Sequence, residues 1–180
     1  MLQRFYPDHE IDSAYEIDYE ELYRKGYRGI IYDIDNTLVP HGAPADKRAI
    51  ALFRRLREIG YRTILLSNNK EPRVRSFCDQ VGSLYIFKAG KPKTAGYRNA
   101  MERMETTAEN TLFVGDQLFT DVWGARRCGI YSILVQPIAK HEEIQIVLKR
   151  YLEKIVLASY KRTCRKQGRT FLYEEDRDAD

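Results

Sequence analysis

Cysteine is scarce in this 180-residue chain, which has only Cys78, Cys128 and Cys164, widely spaced and with no Cys-x-x-Cys pair. That spacing indicates neither a disulfide framework nor a zinc site, and the three thiols are expected to be reduced and partly buried. No apolar run approaches the roughly 18 to 20 residues that a membrane-spanning helix needs. At the N-terminus, Asp8, Glu10 and Asp12 follow a short apolar patch with no h-region, so no signal peptide is expected. The expected location is cytoplasmic, with peripheral membrane contact as its extension. Internal repeats and low-complexity segments are absent as well.

What remains is ordinary globular composition: 43% hydrophobic, 31% charged and a net charge of +4. A chain of this length can bury one substantial core. Its most informative stretch is Ile30-Ile31-Tyr32-Asp33-Ile34-Asp35-Asn36-Thr37-Leu38-Val39, an apolar run that ends on two carboxylates one residue apart. A buried parallel strand reads as a continuous apolar run. Ligands of open α/β sheets bind beyond the carboxyl ends of the strands, which is where Asp33 and Asp35 would emerge.

Like charges this close repel, so the pair calls for a cation or a shared proton. Magnesium favours carboxylate oxygens and retained water, and it can neutralise a phosphate dianion approaching an anionic nucleophile. Asp33 is then placed to attack phosphorus, and Asp35 to protonate the leaving oxygen and later deprotonate water. The bland reading is a strand-end turn capped by Asp35 and Asn36.

Three further segments bear on that choice. Residues 61–69 form a second apolar strand ending in Ser67, Asn68 and Asn69, whose hydroxyl and amide can grip phosphate oxygens or simply form a turn. In Ala89-Gly90-Lys91-Pro92-Lys93, a lysine fixed by the following proline can pair with nucleophile and phosphate, or be an ordinary surface lysine. Residues 111–121 are another strand, ending on Asp116 with Asp121 beyond it.

In order and content these four segments resemble the haloacid dehalogenase superfamily of phosphotransferases, over roughly residues 28–136. Its Asp-x-Asp-x-Thr motif is matched by Asp33 to Thr37, its Ser/Thr by Ser67, its lysine by Lys91 and its acidic pair by Asp116 and Asp121. The details are most similar to the YqeG group of subfamily IIIA phosphatases, relatives of phosphatidylglycerophosphate phosphatases. The resemblance implies Asp33 as nucleophile and magnesium ligand, and Asp35 as acid/base and ligand through its backbone carbonyl. It further implies Asp116 as third protein ligand, Asp121 as an outer acid orienting Lys91 or a metal-bound water, and Thr37 and Asn68 as substrate contacts. Lys93 competes for the lysine role, and the Lys-Pro pair favours Lys91. His41, on the loop after the first motif, reads as a solvated residue or a substrate contact.

Between the motifs the pattern is alternating strand and helix, so the expected fold is α/β, a doubly wound, mainly parallel sheet. A helix opens at Pro44-Ala45-Asp46 with Ile50, Phe53, Leu56 and Ile59 at helical spacing and stops at Gly60. Others are expected over 72–81, 94–104 and 121–128, with strands over 84–87 and 130–135. The first 25 or so residues are expected to pack a helix bearing Tyr15, Tyr19 and Tyr23 on one face. Neither gap between motifs has room for an inserted cap domain. A capless site admits large phosphomonoesters, such as a lipid headgroup, a phosphoprotein or a nucleic-acid end.

The chain divides into a body at 1–139, a basic helix at 140–169 and an acidic, mobile tail at 170–180. Residues 140–169 hold nine Lys/Arg against three acids, and residues 171–180 five acids against one Arg. In the helix Ile144, Leu148, Tyr151, Leu152, Ile155 and Tyr160 form an apolar stripe beside Lys149, Arg150, Lys154, Lys161 and Arg162. That suits an anionic membrane surface or a terminal helix packed on the body with solvated charges. Nucleic acid is a weaker reading, because no aromatic-basic platform accompanies the charge. The expected activity is magnesium-dependent phosphomonoester hydrolysis, with phosphatidylglycerophosphate as the expected substrate. The alternatives are a phosphatase of a phosphorylated protein or nucleic-acid end, a receiver-like phosphoacceptor, against which Asp35 argues, and a noncatalytic binding member of the fold.

Overall fold

The computed structural model describes residues 2–139 and 144–167, with side chains at 144–150 and 167 outside that description. The acidic tail therefore lies outside the described residues, as do the side chains of Ile144, Leu148, Lys149 and Arg150. Six strands make one sheet: β1 (His9–Ile11), β2 (Gly29–Tyr32), β3 (Arg62–Leu66), β4 (Leu84–Ile86), β5 (Thr111–Gly115) and β6 (Tyr131–Val135). Their order is β1-β6-β5-β2-β3-β4, and every pairing is parallel.

All four residues of β2 are buried, as a strand covered on both faces requires. Alternation along it sorts side chains between two layers. Ile30 and Tyr32 join a core with Phe53, Leu65 and Phe77, beneath helices α1 (Tyr19–Arg24), α2 (Lys47–Ile59) and α3 (Glu71–Val81). Ile31 faces the other way, with Ile64, Tyr97 and Phe113, beneath α4 (Thr94–Met104) and α5 (Trp123–Arg127). Asp46 caps α2 by accepting from Ala49 N at 2.8 Å, and Gly60, at φ 111°, ends it in the left-handed conformation that glycine adopts without strain. The face α2 buries is Ala49, Leu52, Phe53 and Leu56, whereas Ile50, expected in the apolar stripe, is 42% exposed.

Two further expectations need correction. The N-terminal segment opens with strand β1 on the sheet edge, and α1 begins only at Tyr19, so Tyr15 precedes the helix. Tyr15 instead donates its hydroxyl to Leu38 O at 2.6 Å and steadies the loop after β2. The helix expected over 121–128 is a wide turn at Leu118–Val122, in which Trp123 N reaches back to Leu118 O, followed by the short α5. As expected, Asp33 and Asp35 emerge beyond the carboxyl end of β2 at Tyr32, and Asn36, at φ 65°, turns the chain.

After β2 the chain builds β3 and β4 on one side of the sheet, then returns to build β5 and β6 on the other. This reversal opens a crevice at the carboxyl ends of β2 and β5. Only α2 and β3 separate Thr37 from Ser67, and only α3 and β4 separate Asn69 from Lys91, so no domain is inserted at either point. No described helix is long and apolar enough to cross a membrane.

Candidate active site

Asp33 is the first residue beyond β2, and its N–H donates to Val114 O at 2.9 Å, which locks the strand end against β5. Asp116 follows β5 directly. Asp33, Asp116 and Asp121 are all buried, and one carboxylate oxygen of each lies within 4.8 Å of the others. Lys91 reaches into this group: Nζ is 2.6 Å from Asp33 Oδ1 and 2.7 Å from Asp121 Oδ1. Lys93 is exposed at the start of α4, so Lys91 is the lysine that the fold delivers to the acids.

Several neighbours fix this constellation. Asn68 clamps the Lys91 backbone at both ends, its Oδ1 accepting from Lys91 N at 2.8 Å and its Nδ2 donating to Lys91 O at 3.2 Å. Thr37 donates to Asp116 Oδ1 at 3.2 Å. Asp121 Oδ2 accepts from Gln117 N at 3.1 Å, and Gly115 makes room for that carboxylate: a Cβ at 115 would stand 2.6 Å from Asp121 Oδ2. Tyr97 closes the floor by donating to Thr120 O at 2.8 Å. Ser67 is 2% exposed at the end of β3, and its Oγ accepts from Asn69 N at 3.1 Å.

The Asp35 carboxylate does not join the cluster of acids. Its Oδ2 accepts from Asn69 Nδ2 at 2.7 Å, and its Oδ1 from Gly42 N at 2.7 Å and Arg73 at 3.0 Å. Arg73, on α3, went unnoticed in the sequence, where it reads as one more basic residue on a helix surface. Its side chain is only 19% exposed, and its Nε is buried without a hydrogen-bond partner. His41 is exposed, with Nδ1 4.0 Å from Asp35 Oδ1.

Electrostatics shape the site. Burial pushes the Asp33 carboxyl up to about 6, with Lys91 pulling it down and Asp121 pushing it up. Burial disfavours the Lys91 ammonium, but Asp121 and Asp33 more than offset this, and its pKa is raised. Three buried carboxylates against one ammonium leave a deficit of positive charge in a set of hard oxygen donors. That chemistry fits a magnesium ion. Both Asp121 oxygens accept from protein donors, Lys91 and the Gln117 N–H.

Comparison with known proteins bears on this geometry. A family model described as haloacid dehalogenase-like hydrolase matches residues 41–129. The protein called "Probable phosphatase YqeG" from Bacillus subtilis (strain 168) is 37% identical over 164 residues, covering 90% of this chain and 95% of that one. Phosphatidylglycerophosphate phosphatase 1, chloroplastic/mitochondrial, from Arabidopsis thaliana is 29% identical over 167 residues, 83% of this chain but 45% of that protein. Among solved structures, 3-deoxy-D-manno-octulosonate 8-phosphate phosphatase from Moraxella catarrhalis, in complex with magnesium, phosphate and KDO, superposes with a TM-score of 0.52. The match covers 67% of this chain and 76% of that one at 14% identity, a likeness of fold.

Proposed function

The chain belongs to the haloacid dehalogenase-like hydrolase family and is a phosphatase, and from that premise we propose that it hydrolyses a phosphomonoester through a phosphorylated Asp33, with phosphatidylglycerophosphate as substrate. The observation that carries the mechanism is Lys91 Nζ within hydrogen-bond distance of both Asp33 and Asp121 at the crevice between β2 and β5.

An oxygen of Asp33 attacks phosphorus, the bond to the leaving oxygen breaks, and Asp35 supplies that oxygen with a proton. A water deprotonated by Asp35 then attacks the phosphorus of the aspartyl phosphate, releasing inorganic phosphate and restoring Asp33. Lys91 and Ser67 meet the phosphate oxygens, with Lys91 held in place by Asp121 and Asn68. Asn69 and Arg73 fix the direction of the Asp35 carboxylate. Asp33, Asp116 and the Asp35 backbone carbonyl would hold a magnesium ion, which when bound would supply charge neutralisation for the transferring phosphoryl group.

The lipid substrate is supported by the named activity of the Arabidopsis relative and by the absence of an inserted domain in either gap between the motifs. The test is phosphate release from vesicles containing phosphatidylglycerophosphate, beside p-nitrophenyl phosphate, with magnesium and after chelation. Magnesium-dependent release from both supports the proposal. Release from the soluble ester alone contradicts the lipid assignment, and release undiminished by chelation contradicts the role of magnesium.

A further inference from the structure

Helix α6 (Ile144–Gln167) buries one face against the body through Glu153, Val156, Tyr160 and Cys164, residues three or four apart. Tyr160 thus leaves the stripe in which the sequence places it, and it meets Tyr6 edge to face at 5.3 Å. Glu153 is 4% exposed, and its Oε1 accepts from Leu118 N at 2.8 Å and from Phe119 N at 3.4 Å. Leu118 lies two residues beyond Asp116, so this contact pins α6 at the edge of the sheet that carries the candidate site.

The opposite face of the same turns is uncovered. Tyr151, Leu152 and Ile155 are 70%, 53% and 57% exposed, an unusual cluster of large apolar side chains in open solvent. Tyr151 and Ile155 line one open groove with Leu2 and Ala158, edged by Lys154 and Arg162. A second groove continues along the helix past Lys161, Arg162, Arg165 and Lys166. Between residues 151 and 166 the sole acid is Glu153, which is turned inward. The outward charge contributed by this stretch of α6 is therefore of one sign around an apolar centre, with Lys161 paired to Glu10 of β1 at 3.4 Å.

We propose that this strip is a docking surface for an anionic lipid bilayer, with Tyr151, Leu152 and Ile155 entering the headgroup boundary and the flanking cations meeting anionic headgroups. This rests on the lipid-substrate reading and adds to it the surface that brings the open site to lipid. A second copy of the chain fits less well, because a two-fold contact would set the basic flanks against themselves. Nucleic acid would leave the exposed Leu152 and Ile155 without a use.

The test is flotation of the full chain with vesicles of phosphatidylcholine alone or mixed equally with phosphatidylglycerol. It compares wild type with Leu152→Glu/Ile155→Glu and with Lys154→Glu/Arg162→Glu, and melting temperature checks that each pair folds. Wild type is expected to bind mixed vesicles at least about tenfold better than neutral ones, with the preference shrinking as salt rises. Each double variant is expected to lose at least about tenfold in binding while p-nitrophenyl phosphate turnover is unchanged. Equal binding to both vesicles, folded variants that bind like wild type, or a change of oligomeric state on Leu152→Glu/Ile155→Glu would each overturn the proposal. Flotation is read without turnover, so a chain that docks but leaves phosphatidylglycerophosphate intact refutes the substrate alone.

Discussion

Lys91 and Asp33 form a buried ion pair, Nζ to Oδ1 2.6 Å, in which the lysine side chain is 4% exposed and the aspartate side chain 10%. Replacing Lys91 by Met keeps length but leaves Asp33 and Asp121 facing each other with no ammonium between them. Such a break costs about 3–5 kcal/mol. Lys91→Met is expected to lose that much in metal-free denaturant titration and to lose phosphatase activity. Asp33→Asn should separate the two properties. A buried acid with its pKa raised from 3.8 to about 6 lets the folded state bind more protons than the unfolded one across that interval, so its charge erodes stability as pH rises through it. With metal chelated at neutral pH, Asp33→Asn is expected to melt no lower than wild type, while its turnover falls by at least about 10⁴-fold.

Gly115 and Asp121 are matched by space. A methyl at 115 would sit 2.6 Å from Asp121 Oδ2 and 2.7 Å from its Cγ. Gly115→Ala is expected to displace that carboxylate, loosen Lys91 and lower kcat by at least about tenfold, the scale set by small misplacements in a reacting site. Steady-state kinetics check this, and an unchanged kcat would mean that Asp121 does not position Lys91.

Asn69 and Arg73 both donate to Asp35. If they aim the group that protonates the leaving oxygen, their loss matters most when the leaving group is poor. Arg73→Gln and Asn69→Ala are expected to slow an alkyl phosphate by about 10- to 100-fold. The same variants should release the first equivalent of nitrophenolate from p-nitrophenyl phosphate at nearly the wild-type rate. Stopped-flow measurement of that first turnover, beside alkyl phosphate turnover, distinguishes aiming from simple damage to the fold.

His9 lies buried in β1, and burial lowers its pKa below 6.5. The unfolded chain therefore takes up a proton that the folded chain refuses as pH falls below 6.5, and stability declines through that window. His9→Gln is expected to lose less melting temperature than wild type between about pH 7.5 and about pH 5.5. Parallel curves for the two proteins would refute the assignment.

Strands β2, β3 and β5 were legible because each is a continuous apolar run, and the acids and Ser67 stand at their ends, where the chemistry of the residue types could be read locally. β1 was not, because its three residues, His9, Glu10 and Ile11, carry no apolar run, and its pairing partner lies over 120 positions away in β6. Arg73 and Glu153 escaped for a related reason. Each is a charged residue on a helix, and only the fold brings one to Asp35 and the other to Leu118 N. Tyr160 read as part of an apolar stripe that suited a membrane surface or packing on the body alike, and its packing against Tyr6 shows that it faces the body.

The central claim is that phosphate passes through Asp33, and the most direct measurement is to trap it there. Wild type turning over p-nitrophenyl phosphate with magnesium would be quenched with borohydride, which reduces an acyl phosphate to an alcohol, and the peptides read by mass spectrometry. The account predicts homoserine at position 33 in wild type, none in Asp33→Asn, and no turnover by that variant. Reduction at any other residue, or Asp33→Asn turning over at the wild-type rate, would contradict it.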